Sequence, residues 1–270
     1  FLLSTAGKPG IGFRLQNPAI SLERFRVIGS NLQTTDNTWT PVWGEQKQIR
    51  NQYNQLTLQL KDSNNILLNL IVRVFNDGFG FRYEFPEQAG LKHFIIADEL
   101  SRFRMTGDHK TFWIPGDYDT NEYGYYTSKL SEVDASGGGM AQEIHAKTFF
   151  DKNAVQTPLM MKTGDGLYIN IHEAALVNYP AMNLVLDKSN FSFQSHLVPD
   201  AVGNKAYLRT PAKSPWRTFV VSDKATDILA SKMILNLNEP SKLTDVSWIK
   251  PVKYVGIWWE MHVGKSSWDY

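Results

Sequence analysis

A chain of 270 residues that is 42% hydrophobic and 13% aromatic has enough apolar side chain for a large core, in one big β domain or two smaller units. Its 28 basic residues stand against 27 acidic ones with no basic tract, which leaves no footprint for nucleic acid or an anionic membrane surface. The absence of cysteine excludes disulfides and thiolate metal sites, and no apolar run reaches the roughly 18 residues of a transmembrane helix.

In chain order, Phe1-Leu-Leu is no signal peptide, though it would suit the start of a mature chain. Short strands are predicted at Gly12-Phe-Arg-Leu-Gln, at Leu22 to Ile28 and at Thr38 to Trp43, the last limited by Pro41. Gln55 to Leu60 alternates cleanly, and Asn64-Asn65 signals a turn. Leu68, Leu70, Val72 and Val74 share one face, Asn76-Asp-Gly78 is a tight turn, and Phe79, Phe81, Tyr83 and Phe85 continue with period two. This is a β-hairpin whose aromatic side must be buried.

Leu91 to Met105 reads as one long or two short strands, and Thr111 to Pro115 as another. From Gly116 to Gly139 the chain is a polar loop carrying Asp117, Asp119 and Glu122, of a length that often serves function. Strand patterns return at Gln142 to Phe150 and at Pro158 to Lys162, the latter forming a hairpin with the stretch after Gly166. Asn183 to Leu186, Phe191 to Leu197 and Pro215 to Val221 are further strands. Ser222 or Asp223 could cap one helix, Ala225 to Met233. With about 15 strands against one helix the class is all-β, a large two-sheet sandwich over residues 1–240. Residues 241–270 read as a linker followed by a fresh strand, Tyr254 to His262, with no sheet to join.

Within Gly166 to Tyr179 one carboxylate is out of place. Leu167, Ile169 and Ile171 point one way, Tyr168, Asn170 and His172 the other, and Glu173 continues the apolar face. Either the strand ends at His172 and Glu173 reaches water, or its charge is paired, hydrogen-bonded or bound to a cation. His172 and His262 lack the spacing of a transition-metal site, and Asp117, Asp119 and Glu122 lack that of an EF-hand.

Trp248 to Trp268, Ile171-His-Glu-Ala-Ala-Leu-Val-Asn-Tyr179, Trp113-Ile-Pro-Gly-Asp-Tyr-Asp-Thr-Asn-Glu122 and Phe79-Gly-Phe-Arg-Tyr83 together resemble glycoside hydrolase family 97, in order and over nearly the whole chain. The resemblance implies a galactose-mutarotase-like β-super-sandwich placed before a (β/α)8 barrel and a C-terminal β domain. It implies α-glucosidase or α-galactosidase activity in a periplasmic or secreted protein. It also implies a calcium ion to which the sandwich lends one ligand, here Glu173, while the remaining ligands and the catalytic carboxylates sit on the barrel. Only 20 residues follow Lys250, whereas a barrel needs about 250. The catalytic residues are therefore expected outside this chain, with Tyr254 starting at most a first barrel strand. On that expectation Trp258, Glu260 and His172 are candidate sugar contacts. Two other readings remain: a non-catalytic carbohydrate-binding or docking module, and a mutarotase-like enzyme, which would need a His acid and a Glu base converging on one face.

Overall fold

The computed structural model of the protein describes residues 10–137, 148–256, 258–265 and 267. The first half of the chain forms β1 (Phe13–Asn17), β2 (Ile20–Leu22), β3 (Phe25–Trp39), β4 (Ile49–Asp62), β5 (Leu67–Phe75), β6 (Gly78–Phe85), β7 (His93–Glu99), β8 (Arg102–Arg104), β9 (Lys110–Trp113) and β10 (Tyr126–Lys129). The second half adds β11 (Ala154–Gln156), β12 (Leu159–Lys162), β13 (Tyr168–Ala174), β14 (Met182–Asp187), β15 (Ser192–Leu197), β16 (Ala206–Arg209), β17 (Ala212–Lys213) and β18 (Trp216–Ser222). Three short helices follow, α1 (Ala225–Ala230), α2 (Met233–Leu237) and α3 (Trp258–His262).

The strands make an antiparallel ten-stranded sheet, in the order β10-β9-β12-β13-β18-β6-β5-β4-β3 with β17 beside β6. Two four-stranded sheets, β16-β7-β1-β2 and β11-β14-β15-β8, form the opposing layer. One core cluster draws side chains from all three, among them Phe13 and Ile96, Phe103 and Phe193, and Tyr83, Phe85 and Ile171. The expected class, an all-β sandwich, is the one observed; its second layer is split into two sheets.

The hairpins that alternation predicts are present. β5 pairs with β6 through the Asn76-Asp77 turn, and the aromatic face of β6 lines the core, with Phe79 stacked on Phe219 at 4.7 Å and Phe13 edge-on to Tyr83 at 4.8 Å. Gly78 closes that turn at φ +157°, and a β-carbon there would lie 2.0 Å from the Phe219 carbonyl oxygen. Gly78→Ala is therefore expected to destabilise the fold by about 2 kcal/mol or more. Gly164→Ala, with open space around it, should stay within about 0.5 kcal/mol of the parent; urea unfolding of the two variants side by side checks the contrast.

Four expectations change. Of the segment at Leu22 to Ile28, Phe25 to Ile28 fall in the 15-residue strand β3, and of Thr38 to Trp43 only Thr38 and Trp39 do, the rest carrying no strand; β3 pairs with β4 from Phe25↔Asp62 to Trp39↔Ile49. β3 is polar and exposed along most of its length, so no apolar period marks it. The far end of this hairpin is tied down, since Trp39 Nε1 donates to Asn236 Oδ1 at 2.8 Å and Asn236 Nδ2 donates to the Arg50 carbonyl at 3.0 Å. The single helix is two, broken at Ser231, whose hydroxyl donates to Asp77 at 2.6 Å. Neither Ser222 nor Asp223 is the N-cap residue, which is Lys224, although Ser222 Oγ accepts its N–H. Met233 and Leu237 of α2 cover the outer face of the large sheet against Ile71, Ala174, Trp216 and Val220.

The third change is at the tail. Tyr254 to His262 is no strand: residues 251–256 lack regular structure, and Trp258–His262 is the helical turn α3. Among the described residues no strand pairs with this segment; its backbone bonds locally, Lys265 N–H to the Glu260 carbonyl at 2.8 Å, and Trp258 meets His262 edge-on at 4.5 Å across one turn. The fourth is the polar loop, which contains the short strand β10 pairing with β9. Most of the strand expected at Gln142 to Phe150, and the glycine run from 138 onward, lie outside the described residues; Thr148 to Phe150 carry no strand.

Candidate functional site

β13 continues through Glu173 to Ala174, so the carboxylate does not escape to water. Ile169, Ile171 and Glu173 all face inward, and Glu173 is 7% exposed. Its cross-strand neighbour on β18 is Arg217, fully buried on the same face. Glu173 Oε1 accepts from Arg217 Nη1, and Oε2 accepts from the Met182 backbone N–H at 2.9 Å. Thus the carboxylate ties the large sheet both to itself and to β14 across the sandwich.

Arg217 is shared. Its Nε and Nη2 donate to both oxygens of Glu99, at 2.9 and 2.6 Å, in the two-pronged geometry that suits guanidinium and carboxylate. Glu99, at the end of β7, also accepts from Ser101 Oγ at 2.8 Å and from Tyr179 Oη at 2.9 Å. Ser101 Oγ is in turn 2.8 Å from Tyr83 Oη. Two turn residues with left-handed backbone, Ala175 (φ 53°) and Asn178 (φ 52°), bring Tyr179 back inward so soon after Glu173. The Ala175 N–H is held by Asn238 Oδ1 at 3.0 Å.

Two carboxylates against one guanidinium leave one negative charge in surplus. Burial opposes the charge on Glu99, but Arg217 and the Ser101 and Tyr179 hydroxyls outweigh it and hold its pKa below the ordinary value. Glu173 goes the other way: burial raises its pKa, Arg217 and the Met182 N–H only partly offset this, and the nearby Glu99 charge adds to it. Of the two carboxylates, Glu173 is therefore the one whose charge the surroundings compensate less well.

Among the described residues no group of three or more His, Cys, Asp or Glu could hold a metal ion. Calcium takes six to eight oxygens, about 2.3–2.6 Å away. Each oxygen of Glu173 accepts one hydrogen bond and keeps a further lone pair, and Arg217 compensates its charge only in part, which suits one donor of such a site. Arg217 draws on the same charge and weakens it as a donor.

Of the predicted sugar contacts, His172 adjoins Glu173 on β13, while Trp258 and Glu260 lie on α3. His172 points to the opposite face of β13, half-buried, with its Nδ1 buried and unpartnered among the described residues. Burial lowers its pKa. Trp258 lies 65% exposed on α3 beside the exposed Glu260. The His172–Glu173 pair diverges, so the mutarotase-like acid–base arrangement is not formed by these two residues. Asp117 is no free ligand either, being buried and ringed by hydrogen-bond donors. Sequence reasoning missed Arg217 and Glu99. The signal for Arg217 was present, since it shares a face with Phe219 and Val221 as Glu173 does with Ile169 and Ile171.

The fold and this cluster define a class: a two-layer antiparallel β-super-sandwich whose layers are tied by a buried carboxylate–guanidinium–carboxylate cluster. Comparison with known families narrows it. The glycosyl-hydrolase 97 N-terminal family matches residues 7–240, and the chain belongs to that family. A retaining α-galactosidase of Bacteroides thetaiotaomicron is 26% identical over 92% of this chain and 38% of its own length. A probable retaining α-galactosidase of Streptomyces bingchenggensis is 24% identical over 92% of the chain and 35% of its own. A glycoside hydrolase family 97 enzyme from Pseudoalteromonas sp. strain K8, solved in complex with acarbose, is 34% identical with a TM-score of 0.83, covering 99% of this chain and 38% of that one. The chain thus spans little more than a third of the length of the curated relatives it matches.

Proposed function

We propose that this chain is the sandwich portion of an exo-acting α-galactosidase or α-glucosidase, periplasmic or secreted, whose catalytic carboxylates sit on a further domain. In this reading it packs against that domain and lends Glu173 to a calcium ion that the two share. The observation that carries the reading is the match of residues 7–240 to the family's N-terminal domain. The geometry of Glu173 supports the calcium role, because a buried carboxylate whose charge is only partly met by Arg217 and whose oxygens keep free lone pairs is stabilised in its charged form by a cation. When bound, the ion would supply Lewis-acid polarisation of a sugar oxygen or a water. The two curated α-galactosidases, and the binding of acarbose by the Pseudoalteromonas enzyme, favour an oligosaccharide substrate.

The division of labour has a direct test. Residues 1–270 are expected to release no p-nitrophenol from p-nitrophenyl α-galactoside or α-glucoside, with or without calcium. Isothermal titration of the chain with calcium is expected to show no saturable binding below about 1 mM, because one carboxylate is too few ligands. Turnover, or tight calcium binding, by the chain by itself would overturn the reading.

A further inference from the structure

A cleft of about 590 Å³ opens on the other side of Glu99 from the charge cluster, where the two small sheets meet. That volume lies within the range of small-ligand sites, about 300–1,000 Å³. Its floor is fixed by strands. Gln194 on β15 donates from Nε2 to the Glu99 and Ser101 carbonyls, both at 3.2 Å, and accepts Arg102 Nε on its Oε1 at 2.6 Å. On the opposite wall Arg14 of β1 pairs with Asp98 of β7 at 2.6 Å. Arg24 and Glu23 stand at the rim.

His196 lines the cleft and belongs to a ring cluster with Tyr118 and Phe150, which do not line it. The His196 ring lies nearly coplanar with Tyr118, at an interplanar angle of 9°, with Nε2 2.8 Å from the Tyr118 hydroxyl. Phe150 stacks across both, 4.3 Å from His196 and 4.5 Å from Tyr118. The side chains around the cleft are three arginines, Glu23 and Asp98, with Glu99 turned inward to Arg217. Their formal sum is +1, from three cations and two anions.

We infer that this cleft is a second, non-catalytic saccharide-binding site for an uncharged oligosaccharide. The chemistry of the lining matches a neutral sugar. Neighbouring sugar hydroxyls are each donor and acceptor at a spacing that a planar guanidinium, carboxylate or amide meets with two parallel bonds, and Arg14, Asp98, Arg102 and Gln194 present all three types side by side. The near-balance of charge, with an arginine already matched to a carboxylate, disfavours an acidic polymer, which a purely cationic wall would select. The inference does not rest on the calcium reading, although Glu99 in the cleft wall shares Arg217 with Glu173.

The test uses the chain itself. Maltotriose and raffinose serve as neutral probes, and a galacturonate trimer as the acidic one, followed by 1H–15N correlation spectra and calorimetry. Expected are shifts confined to β1, β7, β8, β15 and the Glu23–Arg24 rim, with a Kd of about 0.1–5 mM for at least one neutral sugar. Arg102→Ala and Arg14→Ala, both at exposed positions, should weaken binding about fivefold or more, near 1 kcal/mol, while melting stays unchanged. Should either variant melt early, Arg102→Lys with retained fold serves in its place, since it loses the two-pronged geometry but keeps the charge. No shifts at about 20 mM sugar, shifts elsewhere, shifts indifferent to the variants, or binding of the galacturonate alone would each overturn the inference.

Discussion

Arg217→Met is expected to cost about 3–5 kcal/mol of folding stability, because it leaves two buried carboxylates without their counter-ion. The guanidinium is fully buried and makes three charge-assisted bonds, two to Glu99 and one to Glu173. Methionine fills much the same volume, so packing loss is the smaller part of the effect. At roughly 2–4 °C per kcal/mol for a chain of this length, the melting temperature should fall by about 6–20 °C. The triple variant Glu99→Gln, Arg217→Met, Glu173→Gln removes the unpaired charges along with their partner. It is expected to regain most of the loss, since breaking one member of a buried ion cluster is far costlier than neutralising all of it. Chemical unfolding followed by tryptophan fluorescence measures both. A single variant within about 1 kcal/mol of the parent would show that the cluster does not hold the layers together.

The asymmetry within that cluster explains which parts were legible in the sequence. Glu173 stood out because it extends the apolar face of a clean period-two strand, and Arg217 carried the same mark in Trp216 to Val221. Glu99 carried none. Phe94 and Ile96 face inward, so simple alternation would bury Asp98 and expose Glu99. The pairing of β7 with β1 shifts between Arg14↔Asp98 and Leu15↔Ile96, skipping Ala97. That bulge flips the parity, turning Glu99 to Arg217 and leaving Asp98 for Arg14 on the outside. A one-residue irregularity thus places one carboxylate in the charge cluster and the other in the cleft.

The same contrast runs through the fold. The hairpins β5–β6, β12–β13 and β14–β15 were readable because one face of each is buried and their turns have strong local chemistry. The β3–β4 hairpin was not, because its register comes from backbone pairing over a polar, exposed strand. The tail misled for the opposite reason. Tyr254 to His262 has strand composition, but composition does not supply a partner strand.

Asp117→Ala is expected to destabilise the chain by about 2–4 kcal/mol, through a set of donors rather than a partner charge. The sequence offered Asp117, Asp119 and Glu122 as equivalent loop acids, yet only the first is buried. Its Oδ1 accepts from the Asp119 and Thr120 N–H groups at 2.8 and 3.1 Å and from the Thr148 hydroxyl at 2.7 Å. Its Oδ2 accepts from the Tyr123 hydroxyl at 2.7 Å and the Thr148 N–H at 2.8 Å. Removing the carboxylate strands these five donors together and takes away one tie between two segments about 30 residues apart, which also meet where Tyr118 stacks on Phe150. Asp119→Ala and Glu122→Ala, at exposed positions, should stay within about 0.5 kcal/mol of the parent. Burial pushes the Asp117 pKa up, but its five hydrogen bonds outweigh that and hold it below the ordinary value. A depressed carboxylate stabilises the fold above its unfolded pKa, about 3.9, and loses that contribution as pH falls through the folded value. The stability gap between the parent and Asp117→Asn, measured by melting at a series of pH values, should therefore be full at neutral pH and shrink below about pH 4. A gap that stays constant down to pH 2 would mean that the loop is held by something other than this carboxylate's charge.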